Sequence, residues 1–155
     1  MTLQDKVFLK IAIDKARKSM DQGGFPAGAL VVKDGVIISK GVSLGFIIHD
    51  PTSHAETAAI REACKTLNTS SLVGATLYNS LEPCVMCFSV ANWAGISRIV
   101  SAAKKTDEMV SKGYYEGKAD IKLLNDINSR KIELICTQDF EEESLSIVKK
   151  WEQNQ

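Results

Sequence analysis

Two short stretches hold the residues best suited to chemistry: His54-Ala55-Glu56 and Pro83-Cys84-Val85-Met86-Cys87. One imidazole and two thiols are three ligands of the kind zinc takes, and zinc completes a tetrahedron with a fourth. With His54, Cys84 and Cys87 as the protein ligands, that fourth position falls to water. A zinc-held water has a pKa of roughly 7, so it is a nucleophile at neutral pH. Glu56 stands two residues past the histidine, where a carboxylate can handle that water's protons without being a ligand. The pattern points to one Zn2+ per chain and to hydrolysis.

Each piece alone has a plainer reading. Ser53 and Glu56 match a capping box, in which Glu56 only satisfies a backbone N–H. Cys84 and Cys87 also fit a thioredoxin-like redox pair after a strand. A structural zinc site needs a fourth protein ligand, and His49, Cys64 and Cys136 are the remaining candidates, none at a convincing spacing. Together, an H-x-E opening one helix, then a strand, then P-C-x-x-C opening the next helix make the specific signal.

The surrounding elements must bring these stretches together. A helix is expected over 3–22, with an apolar stripe of Leu3, Val7, Phe8, Ile11, Ala12 and Ala16, ended by Gly23-Gly24. Strands over 28–33 and 36–41 flank Asp34-Gly35, a strong hairpin signal. Their nearly unbroken apolar runs imply burial on both faces. A loop through Phe46, His49 and Asp50-Pro51 leads to a helix over 54–67. A strand over 72–80 precedes a helix that Pro83 opens from its first position and Gly95 ends. A strand over 97–102, a helix over 107–112, a loop over 113–117, a short helix over 121–125, a strand over 131–137 and a helix over 140–151 complete the chain. The fold class is α/β: a three-layer α/β/α sandwich around a five-stranded mixed sheet, with an antiparallel first hairpin and later strands parallel. Both motif halves start helices, whose free N–H groups and positive dipole end favour thiolates.

The chain has 155 residues, which fits one domain over 1–155. Nineteen acidic and nineteen basic side chains balance, so no basic footprint argues for nucleic acid. No apolar run approaches the roughly 20 residues of a membrane span. The first twenty residues do not read as a signal peptide, and a cytoplasmic protein without a membrane partner is expected. Cys64 and Cys136 are expected to be small buried hydrophobes.

Over about 24–103 the chain resembles the cytidine deaminase-like superfamily, in particular its guanine deaminase and tRNA adenosine deaminase branch. The matching residues include Gly28-Ala29, Val32-Lys33-Asp34-Gly35, Asp50-Pro51-Thr52, His54-Ala55-Glu56, Leu77-Tyr78 and Leu81-Glu82-Pro83-Cys84-Val85-Met86-Cys87. H-x-E with P-C-x-x-C is an already known signature of zinc deaminases. The resemblance implies hydrolytic loss of an exocyclic amino group as ammonia, with Glu56 as proton shuttle. It implies backbone N–H groups of Ala55 and Cys84 beside the reacting water or substrate, and a homodimer. Trp93 matches a tryptophan typical of guanine deaminases. With the neutral charge, it favours a small nucleobase or nucleoside, guanine or a related purine-like ring first. The alternatives are tRNA adenosine-to-inosine deamination, then cytosine-type deamination, and, outside enzymes, a zinc-stabilised interaction domain.

Two positions depart from that branch. Ser43 stands where an asparagine often contacts the base, and Ala27 where guanine deaminases carry a bulky aromatic, with Phe25 beyond Pro26 as a candidate replacement. In the 113–117 loop, Tyr114 is a candidate for stacking and Glu116 for hydrogen bonds to ring N–H groups. The candidate substrate contacts are thus Phe25, Ser43, Ala55, Trp93 and Glu116. Trp151 is expected to be a packing anchor.

Overall fold

Asp34 and Gly35 both take positive φ, 51° and 75°, the geometry of a tight hairpin turn. They fold β1 (Phe25–Lys33) back onto β2 (Val36–Ser43) in antiparallel register. The computed structural model describes residues 1–155. Around the hairpin lie α1 (Leu3–Asp21), α2 (Gly45–Ile48), α3 (Ala55–Leu67), β3 (Thr76–Asn79), α4 (Val85–Ala94), β4 (Arg98–Ser101), α5 (Asp107–Ser111), α6 (Ile121–Ile127), β5 (Glu133–Cys136) and α7 (Glu141–Glu152). The sheet order is β2-β1-β3-β4-β5. β1 is antiparallel to both β2 and β3, whereas β3, β4 and β5 run parallel. The expected mixed sheet between two helical layers is the one observed.

Strand alternation divides the core between those layers. Leu30, Val32, Tyr78 and Val100 point to one face, against Phe8, Leu9, Ala12, Ile13 and Ala16 of α1 and Ile147 of α7. Ala29, Val31, Leu77 and Ile99 point to the other, against α3 and α4, whose contacts are largely alanine: Ala55, Ala59, Ala63, Ala91 and Ala94, with Phe88 filling the space between. Small side chains let α3 approach the sheet closely. At Gly41 of β2 a Cβ would stand 2.0 Å from the carbonyl oxygen of Ala55, so only glycine admits the first turn of α3 at that distance.

One buried polar cluster ties the layers together. Thr2 and Asp5 cap α1 reciprocally, with N–H to oxygen distances of 2.7 and 3.1 Å. The Tyr78 hydroxyl donates to Asp5 Oδ1 at 2.6 Å, and Arg98 donates to both carboxylate oxygens at 3.2 and 3.3 Å. Burial pushes the Asp5 carboxyl up, but Arg98, the Thr2 N–H and Tyr78 outweigh it and hold the group well below the usual carboxylate range.

Several expectations need correction. The buried stripe of α1 runs through Phe8, Leu9, Ala12, Ile13 and Ala16, while Leu3 and Val7 are exposed; contact with the sheet and with α7 rotates it. β2 is an edge strand, so Val36 is exposed and its run is not buried on both faces. Cys136 is exposed on β5, the other edge, and Cys64 is only half-buried. Pro83 precedes the N-cap of α4, which is Cys84, and so does not occupy the first helical position. The loop after β2 contains the short α2. No helix is long and apolar enough to cross a membrane.

Candidate active site

The loop before α3 is stapled by its own side chains. Asp50 Oδ1 accepts the Thr52 N–H and hydroxyl at 2.8 and 2.7 Å, and Thr57 of α3 donates back to the carbonyls of Thr52 and His54. This turn delivers His54 as the N-cap of α3, in extended backbone (φ −76°, ψ 161°), with no side-chain cap hydrogen bond. The imidazole is directed at the cysteines instead. No capping box of Ser53 and Glu56 forms: Ser53 is buried outside the helix and the N-cap is His54.

On α4 the N-cap is Cys84, whose sulfur accepts the Cys87 N–H at 3.5 Å. His54 Nδ1 lies 3.5 Å from the sulfur of Cys84 and 3.5 Å from that of Cys87. Typical Zn–S and Zn–N bonds at a tetrahedral angle place such donor atoms roughly 3.6 Å apart, so the three residues fit a zinc ion without rearrangement. All three donors lie within 4.8 Å of one another, and no other His, Cys, Asp or Glu joins the group. The cluster therefore offers three protein donors, and a tetrahedral zinc ion held there would keep a fourth position open. His49, Cys64 and Cys136, the candidates for a fourth, stand outside it.

The site's electrostatics follow from this crowding. The Cys84 thiol is drawn down to about 5, by its hydrogen bond from Cys87 and then, against burial, by His54. Cys87 is pushed well up by the same contact and by burial, as when two thiols share one proton. A hydrogen bond to Cys84 raises His54. Glu56 is buried and pushed up to about 7, chiefly by desolvation and then by the negative charge on Cys84. A dication held beside it pulls the other way.

The site opens into a cavity of about 1070 Å3 whose lining includes His54, Glu56, Cys84, Ser43, Ala27, Phe25 and Glu116. Glu116 is partly engaged: its Oε1 accepts the Val85 N–H, the first free amide of α4, at 2.6 Å. The neighbouring Tyr115 hydroxyl donates to the Glu82 carbonyl at 2.7 Å, so the 113–117 loop is pinned beside the cysteine-bearing turn. Ala55, a candidate contact through its backbone N–H, is fully buried and does not line the cavity.

Trp93 requires correction. It sits near the end of α4, 89% exposed, beside a separate shallow hollow with Ser89, Asn92 and Arg130, and it does not line the cavity. It is neither a substrate contact within this chain nor a core residue. Trp151, expected to be a packing anchor, packs against Phe25 and Tyr114 and also lines the cavity. His49, Lys112 and Tyr115 also line it without having been singled out as contacts; no local pattern marks them, because distant segments meet there.

Three zinc-type donors beside a buried carboxylate that lines a cavity suit a zinc hydrolase. The chain belongs to the family described as the cytidine and deoxycytidylate deaminase zinc-binding region, which matches residues 2–103. It is 43% identical over 106 residues to the tRNA-specific adenosine deaminase of Aquifex aeolicus (strain VF5), covering 67% of this chain and 70% of that protein. It is 42% identical over 106 residues to the guanine deaminase of Bacillus subtilis (strain 168), covering 68% of each. The solved guanine deaminase from Bacillus subtilis superposes with a TM-score of 0.68 at 34% identity, covering 99% of this chain and 95% of that one. The chain is a hydrolytic deaminase, and zinc is its cofactor.

Proposed function

We propose that this chain, as one deaminase domain over residues 1–155, hydrolyses the exocyclic amino group of a free nucleobase or small nucleoside, with guanine or a related purine-like ring first. His54, Cys84 and Cys87 hold the zinc, which supplies the acidity that makes water nucleophilic near neutral pH. Glu56 would take one proton from the attacking water and deliver it to a ring nitrogen, then carry the second, from the hydroxyl added to the ring carbon, to the departing amine. The amine must leave protonated, because ammonia is a far better leaving group than amide anion. Ser43 and Glu116 offer a hydroxyl and the second carboxylate oxygen to the ring, and Phe25 a face of the cavity.

The observation that carries the choice of substrate is the charge of the cavity lining. Asp50, Glu56, Glu82 and Glu116 face it, with no arginine. Its one lysine, Lys112, is paired with Glu108 and Glu152 at 2.6 and 2.9 Å. A site for tRNA needs cations for its phosphates, so this lining favours an unphosphorylated ring. The two relatives, 43% and 42% identical, do not separate the readings.

The test is ammonia release by the zinc-loaded protein from guanine, adenine, cytosine, their nucleosides and tRNA. Release from a free purine base is expected. Release from tRNA alone, with affinity falling steeply as salt rises, overturns the reading in favour of adenosine-to-inosine editing. The exposed Phe46, Ile47 and Ile48 of α2 and Trp93 of α4 support a homodimer that covers them. Sedimentation of the same preparation at the mass of one chain would refute that part.

A further inference from the structure

The turn that carries Cys84 is gripped from a segment far along the chain. Residues 113–117 lie outside the 2–103 region that the deaminase family shares. Gly113 and Gly117 bound the segment at φ of 75° and 157°, and it holds no helix or strand. Two consecutive side chains fasten it. The Tyr115 hydroxyl donates to the Glu82 carbonyl at 2.7 Å, and Glu116 Oε1 accepts the Val85 N–H at 2.6 Å. One bond falls two residues before Cys84 and the other one residue after it, so the pair forms a clamp around that ligand.

The start of the turn has a separate support. The Glu82 N–H donates to the Ala103 carbonyl at 2.7 Å, and the Lys105 N–H donates to the Glu82 carboxylate at 2.9 Å. These bonds tie Glu82 to the chain just past β4. Between Glu82 and the helix, Pro83 brings no N–H to anchor the backbone. Lys105 also braces the clamp: its Nζ lies 5.6 Å from the Tyr115 ring centroid and donates to the Ala119 carbonyl. Burial pushes the Tyr115 phenol well up, and the carboxylates and thiols around it push the same way, so its hydroxyl stays a donor.

We infer that Tyr115 is a positioning residue for the zinc site. With Glu116 it holds the 82–85 turn so that Cys84 is presented to the metal, and metal retention is thereby coupled to closure of the 113–117 segment. The inference goes beyond the choice of substrate and needs only the three donors. A turn already held loses less freedom when its sulfur binds an ion. By reciprocity, an ion that fixes the turn favours the fastened segment by the same factor. One stretch therefore both walls the cavity and secures a ligand.

Tyr115→Phe keeps the ring and removes only the hydroxyl. Tyr114→Phe is its control, because the Tyr114 hydroxyl donates to Glu152 at 2.8 Å and not to the turn. Zinc Kd is read by competition with a chromophoric chelator. Partners that orient a metal ligand are worth roughly 10–100-fold in affinity, so Tyr115→Phe should raise Kd about tenfold or more, with Tyr114→Phe within about twofold of wild type. In cobalt-substituted protein the thiolate-to-metal band of Tyr115→Phe should move while far-UV circular dichroism stays native. A purely structural tyrosine would lower stability to urea and leave that band in place. A wild-type Kd or an unmoved band in Tyr115→Phe overturns the clamp, as does an equal rise in Kd in both variants. Should Tyr115→Phe fail to fold, hydrogen exchange of the wild type decides. Zinc is then expected to slow the amides of residues 114–117 by about tenfold, and equal rates with and without zinc overturn the coupling. None of these readouts uses a substrate, so their failure is distinct from failure of the ammonia-release test.

Discussion

At the start of α3 a histidine gives up helix capping to face two sulfurs, whereas at the start of α4 a cysteine caps and faces the metal position at once. His54 is freed because Thr57 and the Asp50–Thr52 turn already fix the helix entrance. Cys84 can do both because its sulfur accepts the Cys87 N–H. These three donors were legible in the sequence, since their types and spacing fix the chemistry before any fold is known. Trp93 and Trp151 were not: the two tryptophans look alike locally, and only the packing of α7 against β1 brings Trp151 to the cavity. The Asp5 cluster was also hidden, since its partners Tyr78 and Arg98 lie far away in sequence. Asp5→Asn should lower the unfolding free energy by about 2 kcal/mol, because it removes the buried one of the two carboxylates that Arg98 pairs with and leaves only the exposed Glu133. Asp5 is held below its unfolded pKa, so it contributes stability above that value and loses it as pH falls towards the folded one. In urea titrations the advantage of wild type should be full at pH 7 and shrink below about pH 4. A gap independent of pH would contradict the charge account.

At the scale of elements, the position of α3 depends on β2. Gly41 admits the Ala55 carbonyl at a distance no Cβ tolerates, and Ala55 separates His54 from Glu56. Gly41→Ala should push the first turn of α3 outward, moving ligand and shuttle together. A misplacement of about 1 Å can cost roughly 100-fold in rate. Ammonia release is expected to fall at least tenfold while far-UV circular dichroism stays native, and unchanged release would show that α3 is not positioned this way. The order of helices and strands was readable from periodicity and from Asp34-Gly35, because alternation and turn chemistry are local. The exposure of Val36 and Cys136 was not, since which strands form the edges depends on the order β2-β1-β3-β4-β5. The α1 stripe was misplaced for a related reason: α7 covers part of that helix, and nothing near residues 3–16 records it.

At the scale of the molecule, the metal donors and part of the cavity around them come from different stretches. The zinc donors and Glu56 lie within residues 54–87, inside the 2–103 region shared with the deaminase family. Lys112, Tyr114, Glu116 and Trp151, which close the cavity, lie beyond it. The zinc donors and the carboxylate beside them thus come from the shared region, and the cavity lining from both parts of the chain. The account turns on Glu56 moving protons beside a zinc ion it does not ligate. Zinc content and ammonia release should be measured side by side for wild type and Glu56→Gln. One zinc per chain in both, with release lowered by roughly 100-fold or more in the variant, is the predicted result. Release at the wild-type rate, or loss of the zinc with the carboxylate, would contradict it.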